Sequence, residues 1–160
     1  MKPAIVLCAV ALFATAPSLA WADTTINVKL LDKGDGMDMS KMMGLGMGMN
    51  GDMKMAPMSI TTSNRQAAAG KVTFKVTNAS KTMIHEMIVA PIKDEKTALP
   101  FIDAENRVDE DKAGDVGEVS ELDPGKSGSL TVALKPGKYI LYCNVPAHYA
   151  MGMWTILDVK

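Results

Sequence analysis

Four side chains in the second half of the chain could share one soft metal ion. The segment Cys143-Asn-Val-Pro-Ala-His148-Tyr-Ala-Met-Gly-Met153 places a thiol, an imidazole and a thioether at Cys-x4-His-x4-Met spacing. A second imidazole, His85, lies upstream in Met83-Ile-His-Glu-Met-Ile-Val89. Beyond residue 22 the chain contains only two histidines, His85 and His148, and one cysteine, Cys143. Thiolate and imidazole bind both Cu(I) and Cu(II), and a weak axial thioether favours the reduced ion without imposing a square plane, so the set suits one-electron exchange. Zinc also accepts Cys and two His, but a closed structural zinc site usually takes a stronger fourth ligand than a thioether. Taken singly, His85 reads as a core or surface histidine and Cys143 as a small buried hydrophobe. A Cys-His hydrolase dyad is the enzymatic rival, but the chain shows neither an orienting third residue in a motif nor a helix-borne nucleophile.

These donors need a β framework. Lys71 to Thr77 alternates strictly, with Val72, Phe74 and Val76 on one face, and Leu130, Val132 and Leu134 repeat the pattern. Pro124-Gly125 and Pro136-Gly137 mark turns on either side of the latter strand. Tyr139 to Val145 and Trp154 to Val159 read as the last two strands, so Cys143 closes one, Trp154 opens the other, and the ligand loop runs between them. Period 2 puts Tyr139, Leu141 and Cys143 on one face, and His85, Met87 and Val89 on another inward face, leaving Glu86 pointing outward. Six to eight short strands without strong helices predict an all-β fold, an antiparallel Greek-key β-sandwich. Between Lys93 and Val116 the alternation fails and eight acids face four bases, which predicts a long solvated loop with a helical turn.

Three regions differ in composition. Lys2, the apolar run Ile5 to Phe13 and Ala20-Trp21-Ala22 read as a signal peptide over residues 1–22, with the mature chain starting at Asp23. A periplasmic product follows if the host is Gram-negative, with no membrane insertion after cleavage, because the apolar stretch falls short of the ~20 residues a bilayer needs. Residues 23–58 hold a short strand, Thr24 to Leu31, and a Gly/Met tract; residues 59–160 form the β domain. Removing 22 of the 160 residues leaves 138, with 16 basic side chains against 18 acidic ones and a net charge of −2, which offers nucleic acid nothing. One thiol in an oxidising compartment allows no internal disulfide, and metal ligation is a reason for it to persist.

The ligand loop is similar to that of plastocyanin, azurin and especially rusticyanin and sulfocyanin, members of the cupredoxin family. The resemblance covers roughly residues 59–160. It implies one type 1 copper per chain, with His85 (after Asn78), Cys143, His148 and Met153 as ligands, Pro146 in the loop and Gly152 before the methionine. Met151 matches the shorter His-to-Met spacing of some members and is the alternative axial ligand. The resemblance also implies an electron carrier, not an enzyme, expected to be a monomer meeting redox protein partners through His148 and an apolar patch of Pro146, Ala147, Tyr149 and Met151. One departure concerns rigidity: azurin and plastocyanin follow the first histidine with Asn, whose amide ties the two ligand loops together, whereas Glu86 stands here.

Nine of the 14 methionines fall between Met37 and Met58. Interleaved Gly, Asp, Lys and Asn predict a mobile tract. Flexible thioethers are soft Cu(I) ligands, so the tract offers an additional weak Cu(I) site and a second role in copper handling, with copper-transfer proteins as partners. A linker or oxidation sink is the plainer alternative.

Overall fold

The computed structural model describes residues 23–34 and 43–160. The expected leader, residues 1–22, and Met37, Met39 and Met42 of the methionine tract lie outside the described residues.

Alternation governs most strands. In β4 (Gly70–Asn78) every second residue is buried, with Val72, Phe74 and Val76 fully inside. β1 (Thr24–Asp32) buries Ile26, Val28 and Leu30 in the same way. Together with β2 (Met58–Thr62) and β9 (Ser127–Leu134) they form one sheet in the order β2-β1-β4-β9. Facing it is a five-stranded sheet, β3-β11-β10-β5-β8. Its strands are β3 (Gln66–Ala67), β5 (His85–Ile92), β8 (Gly117–Leu122), β10 (Gly137–Tyr142) and β11 (Trp154–Val159). The core between the sheets holds Ile26, Phe74, Met87, Leu141, Cys143 and Leu157 among others.

The all-β sandwich is as the sequence predicts, but the described residues hold eleven strands, nine in the two facing sheets and two in a separate hairpin, where six to eight were expected. The surplus includes β3, β6 (Phe101–Ile102) and β7 (Arg107–Val108), pieces of two residues, too short to carry an alternation. Most pairs are antiparallel; β1 with β4 and β3 with β11 are parallel. β1, placed with the methionine tract in the sequence reading, is an inner strand of the sandwich, hydrogen-bonded on both edges.

The five-stranded sheet has a second covered face. Ile88 and Ala90 of β5 and Ile140 and Tyr142 of β10 pack on that side against Met47, Leu99, Val108, Ala113 and Tyr149. The segment 93–116, expected to be a solvated loop, therefore folds back on the sheet through the β6–β7 hairpin and α1 (Glu110–Ala113). The methionine tract departs from expectation as well: Met47 and Met58 are buried, Met43 and Met49 pack against the two cores, and Met53 and Met55 are exposed.

Candidate metal centre

His85 opens β5, and the turn that delivers it is held by Asn78 at the end of β4. The buried Asn78 amide donates to the Met83 and Leu122 carbonyls at 2.8 and 2.7 Å and accepts from the Ser80 N–H at 2.9 Å. Cys143 follows β10 directly, and the ligand loop closes on itself through its backbone. The Cys143 N–H donates to the Met153 carbonyl at 3.1 Å, and the Met153 N–H donates to the His148 carbonyl at 3.1 Å. Gly152 adopts φ +90° at the end of a 3-10 turn, Tyr149–Met151, and a Cβ there would lie 2.7 Å from Ala56 Cβ.

The methionine segment straps this loop from outside. The Leu45 N–H donates to the Ala150 carbonyl at 2.7 Å, Trp154 Nε1 donates to the Leu45 carbonyl at 2.7 Å, and the Tyr149 hydroxyl donates to the Met47 carbonyl at 3.3 Å.

Folding brings three of the four expected donors to one point. Nδ1 of His85 and Nδ1 of His148 are 3.1 Å apart, and Cys143 Sγ lies 3.4 Å from the second and 3.9 Å from the first. Among the His, Cys, Asp and Glu side chains of the described residues this is the group placed to hold a metal, its donor atoms all within 4.8 Å of one another. Bonds of about 2.0–2.3 Å from nitrogen and sulfur to a first-row metal would set donors in a trigonal array roughly 3.5 Å apart, so the triangle fits one ion. Met151 and Met153 are both fully buried, and both belong to the same core cluster as Cys143.

The electrostatics prepare neutral donors. Burial, reinforced by the neighbouring His85, lowers His148 to about 4. Burial also lowers His85, against the opposing pull of Asp32. Both imidazoles are therefore neutral near pH 7. Burial pushes the Cys143 thiol up to about 12, against N–H donors from Glu86 and Val145, so the thiol keeps its proton until a cation displaces it.

Glu86 does not reach solvent. It is buried because the outer face of β5 is itself covered, and its carboxylate accepts the Asn144 N–H at 3.0 Å while its own N–H points at Cys143 Sγ at 3.5 Å. It thus ties the two ligand segments together where azurin and plastocyanin use Asn. Burial, together with repulsion from Glu121, Glu110 and Glu118, raises its carboxyl to about 7 despite the Asn144 bond. The expected apolar patch is also revised. Tyr149 and Met151 are buried beneath the loop, and His148 keeps 5% exposure, so Pro146 with the half-exposed Val145 and Ala147 and the exposed Ile84 form the apolar rim.

Two residues of the site escaped the sequence reading. Asn144 accepts the Val108 N–H at 2.7 Å and donates to Glu110 Oε1 at 2.6 Å, anchoring the residue after Cys143 to the 93–116 segment. Its adjacency to Cys143 was the available signal. Asp32 reaches His85 Nε2 at 2.9 Å from the end of β1. Burial raises its carboxyl, but donors from Ser80, His85 and Gly34 outweigh that and hold it below its ordinary value.

Residues 44–160 match the model of the family described as copper binding proteins, plastocyanin/azurin family. No curated protein sequence matches the chain. Auracyanin from Roseiflexus castenholzii superposes with a TM-score of 0.52 at 21% identity, over 86% of this chain and 97% of that one. Rusticyanin from Thiobacillus ferrooxidans gives 0.56 at 15% identity, over 86% and 77%. The blue copper protein auracyanin A from Chloroflexus aurantiacus gives 0.52 at 20% identity, over 87% and 100%. The chain belongs to the plastocyanin/azurin family of copper-binding proteins, the cupredoxins, and its donor set fits one type 1 copper ion.

Proposed function

We propose that the chain is an exported one-electron carrier whose copper is held by His85, Cys143 and His148, with Met153 as the weak axial ligand. The convergence of three buried donor atoms within 4.8 Å carries the reading. A bound copper ion would supply the change between Cu(I) and Cu(II). The residues around it do the rest. His85 and His148 offer neutral imidazoles, Cys143 yields its proton on binding, and the closed loop fixes donor positions so that little has to move between oxidation states. Burial of His85 and Cys143 keeps water from the donors, while the residual exposure of His148 and the rim of Ile84, Val145, Pro146 and Ala147 support an electron port at an apolar contact with a redox protein. Residues 1–22 support export to the periplasm. No described helix is long and apolar enough to cross a membrane.

The absorption spectrum of the mature chain with Cu(II) tests this reading. An intense thiolate-to-copper band is expected, Cys143→Ser abolishes it, and a wild-type chain without the band overturns the assignment.

Copper handling is a second reading, favoured by the exposed thioethers of Met53 and Met55, the former with Sδ 3.5 Å from where a Gly152 Cβ would lie on the ligand loop. Replacing Met37, Met39, Met42, Met53 and Met55 by leucine spares the strap formed by Leu45 and Met47. Loss of Cu(I) retention and of copper tolerance with an intact visible band supports handling; unchanged retention and tolerance refute it.

A further inference from the structure

The acceptor that meets His85 from behind comes from the opposite sheet. Asp32 is the last residue of β1, and its side chain and that of His85 are 2% and 0% exposed where Oδ2 meets Nε2 at 2.9 Å. Its other oxygen accepts the Gly34 N–H at 2.6 Å. A carboxylate can only accept, so the contact requires the imidazole proton on Nε2 and leaves the Nδ1 lone pair facing Cys143 and His148. Such outer partners fix the tautomer and ring orientation of a ligating histidine and raise its basicity. The contact also places a negative charge in a dry site, where charge acts more strongly than in water and favours the more positive ion.

We propose that Asp32 is a positioning residue for His85 that also biases the centre towards Cu(II). The tautomer half of this inference stands on the metal-free geometry, and the bias rests on the copper reading given above. A strand from the N-terminal region would then set a property of a centre whose ligands all lie more than fifty residues later.

Nitrogen-15 NMR of the metal-free wild-type chain tests the first half without copper. His85 is expected to carry its proton on Nε2 alone, and an Nδ1-protonated or mixed His85 overturns the proposal. Asp32→Asn keeps an acceptor and removes the charge. It is expected to retain the visible band and to lower the preference for Cu(II) over Cu(I) about tenfold, which is about 59 mV of reduction potential for one electron. Asp32→Ala removes both functions and is expected to add a mixed His85 tautomer. A reduction potential unchanged in Asp32→Asn overturns the bias, and a single Nε2–H tautomer surviving in Asp32→Ala overturns the positioning role. Should neither variant fold, the wild-type tautomer decides the matter. If the wild-type chain shows no thiolate-to-copper band, the carrier reading fails while the tautomer result stands or falls separately.

Discussion

His85 and the Cys143–His148 pair reach the same point by different means. His85 stands on a strand and is aimed by side chains arriving from elsewhere: Asn78 from β4 shapes its turn, Asp32 from β1 holds its ring, and Glu86 links its strand to Asn144. Cys143 and His148 sit on a loop that is closed by its own backbone and belted by Leu45 and Met47. A rigid sheet lets a ligand be oriented by a few long-range side-chain bonds. A loop has no such ladder and must satisfy its backbone groups locally before its side chains can hold a position. Substitutions on the first frame should therefore reach across both sheets, whereas those on the second should stay local.

The largest effect is expected from Asn78→Ala, which strips the hydrogen bonds to Met83, Leu122 and Ser80 from a fully buried site. Loss of about 2–4 kcal/mol is expected in denaturant titration, with hydrogen exchange accelerating in both sheets. A cost under about 1 kcal/mol would break the claim that His85 depends on remote side chains.

Glu86→Gln sharpens the link between the two frames through pH. In the metal-free chain the folded state raises this carboxyl from 4.5 to about 7, so it binds more protons folded than unfolded across that window. Its contribution to stability is complete below pH 4.5 and is lost as pH rises through about 7. Glutamine keeps an acceptor for the Asn144 N–H and cannot ionise. The variant should therefore exceed the wild type by on the order of 1–2 kcal/mol at pH 8, with the gain vanishing near pH 4.5. Thermal melts across that range check both sign and window.

The smallest effect belongs to the belt. Trp154→Phe removes the indole bond to the Leu45 carbonyl and should cost about 1 kcal/mol. Amide exchange should rise at Leu45 while staying unchanged at Met87 and Val89 of β5. Faster exchange in β5 would show that the loop and strand frames are not separable.

The donor triangle was legible because its chemistry is local: Cys143 and His148 lie within one short segment, and His85 and Cys143 occupy inward positions that period 2 alone predicts. The surroundings were not. Asp32 is 53 residues from His85 and meets it only because β1 packs beside β4. Glu86 was placed outward on the assumption that β5 has a solvent face. The unbroken apolar runs Ile88-Val-Ala90 and Tyr139-Ile-Leu-Tyr-Cys143 were the signal to the contrary, since strands buried on both faces lose their alternation. The acids of residues 93–116 masked the few apolar anchors, Leu99, Val108 and Ala113, that seat that segment on the sheet.

The interleaved strand order carries a consequence for how the chain is made. β11 inserts between β3 and β10, and β10 between β11 and β5, so strands synthesised early wait with open edges for partners that emerge last. Contacts of such long sequence separation slow folding. The donor triangle cannot exist until β5 and the segment after β10 have come together, which makes metal capture a late event of folding and leaves the early edges in need of protection on the way.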